Sequence, residues 1–493
     1  MDYQDERGMS MSGNAVARYA RSAATALALG LVALLAFTTL AWAADGDLDT
    51  SFSDDGLRIQ NRTNGTDVAY SLAFRDDGTF VVGGVDDNNT SSSTALRMAN
   101  LAFNATGTSD GTFTNPNDRL FWSPKTDAIW EVLLLSDGRY GFVGHAGTST
   151  GGSGSDYDCV AVMRQSNGAL DTSFDSNGKR FVTFDASRND HCLAGALQDD
   201  DKMVVGGWVA SGGSGYYTAL ARINTDGTLD TSFSSDGKVI EDHSGNGEYI
   251  TAVEIDADGK IVVAGVGNAG QDFFVARYTA AGALDTSFSS DGIHTFDLGA
   301  GSTDLLRAMA IDANGKIVVV GYNSDDWAVA RLTTSGAMDS DFGGGDGIVT
   351  TDFGGNDDQA WDVVIASDGK ILVGGHTNAS GTDFAVARYT TLGALDTGFS
   401  SDGKATADFG SGRTDKAYAM GLAGNGSVLL VGGSKTGSDE DWAFAQFLSS
   451  TGPPGSITMA AFGKFRGDDQ DTVIATHEDP GVTAVPGGYL SGS

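Results

Sequence analysis

The chain of 493 residues is poor in proline, with 6, and in cysteine, with 2. So few prolines exclude a collagen-like or proline-rich extended protein. Basic residues are also scarce, because 30 Lys and Arg stand against 65 Asp and Glu, which gives a formal net charge of −35. A field of that sign excludes nucleic-acid binding through a general basic surface.

Glutamate is the rare acid, since the 65 acidic residues divide into 58 Asp and 7 Glu. Asp favours turns, whereas Glu favours helices, and 70 glycines point in the same direction. Hydrophobic residues make up 40% of the chain, which is enough for a core and excludes a globally disordered protein. The composition therefore predicts a turn-rich, all-β fold.

A long apolar run lies near the N-terminus, over residues 23–40, after Arg18 and Arg21. It is followed by a small-x-small sequence that ends at Ala43, and this order is typical of a secretory signal. A retained membrane anchor is the alternative, because the run approaches the length needed to span a bilayer. We predict cleavage after Ala43, so that residues 1–43 are a signal peptide. The mature protein is then expected to have no membrane span, to be monomeric and to be exported to the periplasm, the cell surface or the medium.

The two cysteines, Cys159 and Cys192, both lie in strand-like runs. Export permits a disulfide between them, and two buried thiols are the alternative. A zinc site made by these two residues alone is excluded, because no second Cys or His pair lies at ligand spacing.

A five-residue phrase, Leu-Asp-Thr-Ser-Phe, recurs along the chain with small variations. Its aromatic residues are 54 to 61 residues apart, a period that indicates a repeat architecture. We expect these aromatics to fill the layer between neighbouring repeats. They are Phe52, Phe113, Phe174, Phe233, Phe288, Phe342 and Phe399.

Each repeat also has an acidic residue, then seven mostly apolar residues, then a turn that ends 11 residues after the acid. Residues 256–259 have the composition of a hairpin turn, in which Gly259 is expected to take a positive φ. Four short strands per repeat are typical of a propeller blade. The fold predicted for residues 44–452 is therefore a seven-bladed β-propeller of four-stranded antiparallel blades. The recurring acids are Asp67, Asp127, Asp190, Glu248, Asp304, Asp358 and Asp415.

The two ends of the repeat array indicate closure into a ring. A spare copy of the phrase occupies residues 48–52, before any complete repeat, and none follows the last repeat at Phe447. The N-terminal strand is therefore predicted to complete the last blade and to leave no open sheet edge. An open solenoid is the alternative, although it would need distinct capping repeats. Residues 453–493 fall outside the repeat and are predicted to be a loosely ordered tail.

The sequence resembles the delta-60 repeat family of exported bacterial proteins. The resemblance lies in the segments Asp-Gly-Lys-Ile-Val-Val-x-Gly at 258–265, Phe-x-Val-Ala-Arg-Tyr at 273–278 and Gly-x-Leu-Asp-x-Ser-Phe at 282–288. It implies a β-propeller-like repeat and no established catalytic residues. In the first repeat, residues 96–98 are taken as the counterpart of Ala-Arg-Tyr.

The seven recurring acids are the candidate metal ligands. Seven equivalent positions in a closed propeller lie on one circle, so carboxylates that point into the channel would offer the hard oxygen ligands that Ca²⁺ prefers. The alternative, which we favour, is that each acid accepts backbone N–H groups at a blade junction. No other cofactor is indicated.

An Arg also recurs in the fourth strand of the repeat, counted from the short strand that follows the Ser-Asp-Gly turn, close to the Asp of the five-residue phrase. We interpret the pair as a brace between strand and turn. The seventh repeat has Gln446 in this position. The Arg residues are Arg97, Arg164, Arg222, Arg277, Arg331 and Arg388.

The sequence contains no catalytic constellation, so it favours an exported binding protein whose partner is a protein, a glycan or a surface polymer. The alternative is a hydrolase or lyase that acts on an extracellular polymer through channel-facing Asp residues, with or without Ca²⁺. A site is expected in the irregular loops at 86–93, 114–126 and 147–156.

Overall fold

The computed structural model describes residues 43–87, 96–113, 127–147, 157–211, 215–243, 247–267, 272–298, 304–355, 357–379 and 381–449. Within these residues the chain forms β-strands and a single short 3₁₀ turn, Phe174–Ser176. The all-β prediction is confirmed. The predicted signal peptide, apart from Ala43, and the predicted tail lie outside the described residues.

The strands form seven antiparallel sheets, each a blade that is described here from its innermost strand outward. The first blade has β2 (Val68–Phe74), β3 (Phe80–Asp86) and β4 (Arg97–Phe103), and residues 114–126, which follow it, lie outside the described part. The second blade has β5 (Ala128–Leu134), β6 (Tyr140–Gly147), β7 (Tyr157–Arg164) and β8 (Lys179–Val182). The third has β9 (Asp190–Leu197), β10 (Met203–Ala210), β11 (Tyr216–Ile223) and β12 (Lys238–Glu241).

The later blades follow the same order. The fourth has β13 (Tyr249–Ile255), β14 (Ile261–Gly267), β15 (Asp272–Tyr278) and β16 (Ile293–Phe296). The fifth has β17 (Asp304–Ile311), β18 (Ile317–Asn323), β19 (Asp326–Leu332) and β20 (Ile348–Thr351). The sixth has β21 (Gln359–Ile365), β22 (Ile371–Thr377), β23 (Asp383–Tyr389) and β24 (Lys404–Ala407). The seventh has β25 (Thr414–Leu422), β26 (Val428–Thr436), β27 (Asp439–Phe447) and β1 (Leu57–Gln60).

The seven blades close into a ring around a central channel. Each innermost strand contacts the innermost strand of the next blade, and β25 of the last blade contacts β2 of the first. The outermost strand of the last blade is the N-terminal β1, which pairs antiparallel with β27, Leu57 opposite Ala445. The predicted closure by the N-terminal strand is confirmed. Because β1 pairs with β27, the outer edge of β27 is not left open.

The recurring aromatics lie between blades, as predicted. Phe52, Phe174, Phe233, Phe288, Phe342 and Phe399 are fully buried, and Phe113 is 6% exposed. A Cβ added at Gly336 in the fifth blade would lie 2.8 Å from the ring of Phe288, which belongs to the fourth. Burial of one large aromatic at each junction is a main apolar contribution to stability, because such rings dominate core energetics.

The Arg–Asp brace forms in four repeats, with Nε–Oδ2 distances of 2.7 to 2.9 Å. In the fourth blade Arg277 also donates to the carbonyl oxygen of Thr334 in the next blade. In the second blade the brace differs, because Arg164 donates to the carbonyl of Gly168 and Arg139 pairs with Asp171. The four pairs are Arg222–Asp230, Arg277–Asp285, Arg331–Asp339 and Arg388–Asp396.

The assignment of Arg97 to this series was wrong. Arg97 opens β4 opposite Asp86, whereas the residue that pairs with the second position of β3, as Arg277 does in its blade, is Ala102. The counterpart of Ala-Arg-Tyr is therefore residues 101–103. The predicted register failed because the sole Arg of this segment was taken as the marker of the strand's end.

In the seventh blade the brace is replaced by hydrogen bonds that join the two ends of the repeat array. Gln446 Nε2 donates to Asp49 Oδ2 over 3.0 Å, and Ser427 Oγ donates to the same oxygen. Asp49 belongs to the spare N-terminal copy of the phrase and is buried. An uncharged Gln is therefore matched to an Asp that arrives from the other end of the sequence.

Cys159 and Cys192 form a disulfide, with the sulfur atoms 2.00 Å apart. Cys159 lies on β7 of the second blade and Cys192 on β9 of the third, so the bond joins two neighbouring blades. Within the described residues no helix is long and apolar enough to span a membrane.

Candidate functional site

The propeller has two faces that differ in their connections. On the face called here the turn face, each innermost strand ends in a tight hairpin turn to the second strand. The residue that closes this turn has a positive φ in every blade, at Gly78, Gly138, Asp201, Gly259, Gly315, Gly369 and Gly426. The opposite face, called here the mouth face, is where the innermost strands begin and where the longer connections lie.

A β-bulge interrupts every innermost strand, three residues after the recurring acid. The residue on the second strand near each bulge is Gly, because a Cβ there would lie only 1.9 to 2.1 Å from a carbonyl oxygen of the innermost strand. A bulge inserts an extra residue and re-aims its side chain. The glycines are Gly84, Gly144, Gly207, Gly265, Gly321, Gly375 and Gly432.

The bulged residues, called here the channel rim, occupy one register position on all seven innermost strands. All are half-buried. The ring of Tyr70 lies 4.4 Å from that of Trp130 in the next blade and 5.4 Å from that of Tyr418 in the preceding one. Side chains at this position therefore meet around the axis. The rim residues are Tyr70, Trp130, Leu193, Thr251, Arg307, Trp361 and Tyr418.

On the other side of Tyr418 the contacts continue. The rings of Tyr418 and Trp361 are 4.7 Å apart. The guanidinium of Arg307 lies 4.0 Å from the ring centre of Trp361 and donates to the hydroxyl of Tyr322 over 2.9 Å. A cation over an indole face is an attractive arrangement, so Arg307 is held in the rim by its neighbours on two blades.

A second arc of rings extends from Trp130 over the mouth face. Trp130 Nε1 donates to His145 Nδ1 over 3.0 Å. The rings of His145 and His191 are 4.1 Å apart, and His191 stacks on Trp208 at 4.1 Å with an interplanar angle of 12°. Trp208 lies 4.5 Å from Tyr216, which is 40% exposed. Together with the rim, these rings form one continuous aromatic surface.

The histidines of this surface are neutral at physiological pH. Burial lowers the pKa of His145 to about 3 and that of His191 to about 4. Burial likewise lowers the pKa of His376, near Trp361, to about 3. Neutral imidazoles carry one donor and one acceptor each, so the surface consists of ring faces and uncharged polar atoms.

An open cleft of about 510 Å³ adjoins Tyr418 on the same face. Its charged lining residues are Lys416, Lys435 and Glu440. Ligand sites combine aromatic walls with a few polar groups that set orientation, and the cleft supplies such groups beside the aromatic surface.

Deeper in the channel, three carboxyl groups project from alternate blades: Glu131, Glu254 and Asp362. Each is partly accessible to solvent, yet each is densely surrounded by protein. Burial, together with repulsion from neighbouring carboxylates in the case of the two Glu, raises the pKa of Glu131 to about 8 and that of Glu254 to about 7. Burial raises the pKa of Asp362 to about 7. The three therefore share an environment that favours their protonated forms.

Two of the carboxyl groups are fixed by hydrogen bonds. Glu131 Oε1 accepts from Ser71 Oγ of the first blade over 2.9 Å. Asp362 Oδ2 accepts from the backbone N–H of Met420 in the next blade over 2.7 Å. These bonds join neighbouring blades at the channel wall. The two carboxyl groups therefore help to hold the blades together, in addition to being titratable.

The seven predicted site acids are all buried, at 0 to 3% exposure. Each accepts a backbone N–H; in six of them the N–H belongs to the connection that leads into the acid's own strand, as in Phe353 to Asp358 Oδ2 over 2.8 Å. Asp127 instead accepts the N–H of Gly147. The recurring acids thus lie at separate blade junctions.

Two of these acids lie in clusters of three carboxylates whose ligand oxygens are all within 4.8 Å of one another. One cluster is Asp326, Asp352 and Asp358, and the other is Asp383, Asp408 and Asp415. Among the described residues, no such cluster contains two of the recurring acids. The sequence identified one member of each cluster and missed the other two.

Sequence reasoning also missed the channel rim. A signal was present, because alignment of the repeats on the recurring acid places four aromatics and one Arg in the column three residues later. The bulge itself has no such signal, since glycine is abundant throughout the chain. Of the loops in which a site was expected, 114–126 lies outside the described residues, as do 88–93 and 148–156 of the other two.

Four segments of the chain match the sequence profile of a family described as a domain of unknown function (DUF5122) beta-propeller: residues 198–233, 257–288, 313–342 and 366–399. Each segment ends at a recurring Phe, so the profile and the structure divide the chain in the same register. These four segments are therefore similar to repeats of that β-propeller family. No curated protein matches the chain.

Several solved structures are similar to this chain at low sequence identity and with TM-scores below 0.5. A protein of unknown function from Dyadobacter fermentans has 12% identity and a TM-score of 0.42 over 80% of this chain and 100% of its own. A protein from Lactobacillus plantarum has 15% identity and a TM-score of 0.45 over 75% and 96%. An ulvan lyase, a polysaccharide lyase, has 10% identity and a TM-score of 0.46 over 78% and 95%. At this level of similarity the matches carry no argument about function.

Proposed function

We propose that the protein is an exported, non-enzymatic binding protein built on a delta-60-type propeller, and that the mouth face binds a neutral glycan. The observation that carries the proposal is the continuous aromatic surface formed by the channel rim and the arc from His145 to Tyr216. Aromatic rings present large apolar faces at a small cost in conformational entropy, and their polar edges accept or donate hydrogen bonds.

The choice of a neutral ligand follows from charge. The chain carries a formal charge of −35, which repels polyanions at long range. The histidines of the surface are uncharged, because burial lowers their pKa values. A sugar ring offers a C–H face to an aromatic ring and hydroxyls to the neutral, half-buried imidazole of His191 and to the cleft beside Tyr418.

Export is supported by the apolar N-terminal run, which is typical of a secretory signal, and by the disulfide between Cys159 and Cys192. Disulfides persist in oxidising compartments. The expected location is the periplasm, the cell surface or the medium.

The test is affinity gel electrophoresis in gels that contain a neutral polysaccharide (xyloglucan, xylan or laminarin) or polygalacturonate. We expect retardation by at least one neutral polymer and none by the polyanion. Trp208→Ala should weaken the retardation about tenfold, because loss of one stacking partner of about 1.4 kcal/mol changes the dissociation constant by that factor. Leu392→Ala is the matched control, because Leu392 is 59% exposed on the turn face.

The proposal fails if no neutral polymer retards the protein, or if Trp208→Ala and Leu392→Ala bind as the wild type does. Retardation by polygalacturonate alone would show that the ligand is a polyanion and not a neutral glycan.

One observation favours the alternative, a hydrolase or lyase that acts on an extracellular polymer. The channel carboxyl groups Glu131, Glu254 and Asp362 have pKa values raised by burial to between about 7 and about 8, and perturbed carboxyls in a cleft are candidates for general acids. Release of reducing ends or of unsaturated products from the same polymers, with and without Ca²⁺, would detect such activity. Turnover that disappears in Glu131→Gln would establish the enzyme in place of the binding protein.

A further inference from the structure

We propose that Asp383, Asp408 and Asp415 form a Ca²⁺ site at the junction between the sixth and seventh blades. This site is independent of glycan binding at the mouth face. The sequence predicted a ring of seven recurring acids as candidate ligands. The site proposed here lies at one blade junction, where one recurring acid is joined by two acids of the preceding blade.

The fold brings the three residues together by a link between blades. The backbone N–H of Asp415 on β25 donates to the carbonyl of Thr382 over 2.7 Å, which places Asp415 beside Asp383, the first residue of β23. Asp408 follows directly after β24. One carboxylate oxygen of each residue lies within 4.8 Å of those of the other two, a spacing that one cation can bridge with oxygen ligands at about 2.3–2.6 Å.

The second observation is an unsatisfied oxygen. Asp415 is fully buried. Its Oδ2 accepts the N–H of Phe409 over 3.0 Å, whereas its Oδ1 has no hydrogen-bond partner. Buried polar atoms are normally paired, and each exception needs an explanation. A bound cation supplies the missing partner.

The polar groups around Asp415 leave its Oδ1 without a hydrogen bond. The hydroxyl of Ser434 and the guanidinium of Arg413 both lie close enough to lower the pKa of Asp415, yet neither makes a hydrogen bond to Oδ1. Ser434 Oγ accepts from Arg413 Nε over 2.6 Å. The guanidinium of Arg413 is directed to Ser434 and to Asp441, 3.2 Å away. The negative charge of Asp408 also raises the pKa of Asp415, after burial, which is the largest contribution.

The preceding junction has the same three acids without these features. There Asp358 Oδ1 accepts from Thr377 Oγ1 over 2.6 Å, and its Oδ2 accepts from Phe353 N–H. In addition, the ammonium of Lys404, the first residue of β24, donates to the carbonyl of Asp352 over 3.0 Å. The first residue of the next outermost strand, β1, is Leu57, so the closing strand brings no such ammonium. We therefore assign Ca²⁺ to the last junction alone.

Because the site has few preformed ligands, we expect it to bind Ca²⁺ weakly. Three carboxylates contributed by separate strands and connections are fewer than the six to eight oxygens of a tight Ca²⁺ site, so the dissociation constant is expected in the range of extracellular modules, about 10⁻⁴–10⁻³ M. Backbone carbonyls or water would complete the coordination.

The experiment is equilibrium dialysis of the chelator-treated full chain against Ca²⁺ up to about 10 mM, well above the expected dissociation constant. Asp408→Asn should bind one Ca²⁺ fewer per chain than the wild type. Asp408 is exposed, so the variant is expected to fold, which near-UV circular dichroism checks. Asp352→Asn, the same position one repeat earlier, is the matched control and should bind as many ions as the wild type.

The site is refuted if the wild type binds no Ca²⁺, if Asp408→Asn binds as many ions as the wild type, or if Asp352→Asn loses an ion that Asp408→Asn retains. Asp383→Asn gives a second reading, because it should lose the same single ion. Retention of that ion in Asp383→Asn would also refute the three-ligand site.

Discussion

The turn face and the mouth face are made by the same strands, but their side chains follow different rules. On the turn face, most equivalent positions hold the same residue type: a Phe between blades, an Arg–Asp brace in four repeats and a glycine with positive φ in six of the seven turns. On the mouth face the recurring acid repeats, as does the backbone, with a bulge and a glycine in every blade, whereas the bulged residue ranges from Thr251 to Trp361. Repetition of side chains marks the scaffold, and repetition of backbone alone marks positions free to vary for function.

The largest expected effect concerns the turn face. Phe288→Ala should lower the free energy of unfolding by about 3–5 kcal/mol, because it removes a large buried ring and leaves a cavity. Tyr216→Ala, at an exposed position of the mouth face, should change it by no more than about 0.5 kcal/mol. Chemical denaturation of both variants measures the difference. Equal losses in the two would remove the distinction between the faces.

The second prediction concerns whether the bulge fixes the position of the rim side chains. Gly321→Ala would place a Cβ 2.0 Å from the carbonyl oxygen of Leu305, so we expect a loss of about 3 kcal/mol, the upper part of the usual range for overpacking. Gly259→Ala, on the turn face, has no atom within 4 Å of the added Cβ, but its φ is +75°. It should lose only about 1–2 kcal/mol, the cost of a left-handed residue.

Thermal or denaturant unfolding of the two alanine variants decides this point. A smaller loss for Gly321→Ala than for Gly259→Ala would mean that the innermost strand can move away and that the bulge does not fix the rim.

The third prediction is a pH dependence of stability that arises in the channel. An unfolded Glu titrates near about 4.3, whereas burial raises the pKa of Glu131 to about 8 in the fold. Between these values the folded state binds more protons than the unfolded state, so stability falls as the pH rises from about 4.3 to about 8 and then levels. Glu131→Gln should make that decline shallower, measured by melting temperature between those limits.

The control for this prediction is Asp226→Asn on the turn face. Hydrogen bonds from Thr228 lower the pKa of Asp226. Above about pH 5 this group is ionised in both states, so the variant should leave the decline above that pH unchanged. A decline in Glu131→Gln as steep as in the wild type would show that Glu131 does not carry the raised pKa.

Prediction from sequence succeeded where the repeat itself carried the information. The recurring Phe and the positive-φ turn residues were identified because each copy confirms the next, and the spare phrase at 48–52 revealed the closing strand. The register failed at Arg97, where the first repeat has diverged and a single residue had to serve as the marker. The mouth-face cluster of His145, His191 and Trp208 was missed because its members are far apart in the sequence.

The sequence by itself determined the number of blades, the order of strands and the core, since all three follow from a local pattern that is repeated and is satisfied within one repeat or between neighbours. Only the tertiary structure decided which residues face the axis, because a bulge re-aims a side chain without changing the spacing of the pattern. It also decided which carboxylates meet, since the partner of Asp415 lies across a blade junction. Contacts between blades depend on ring closure, which positions residues that are distant along the chain.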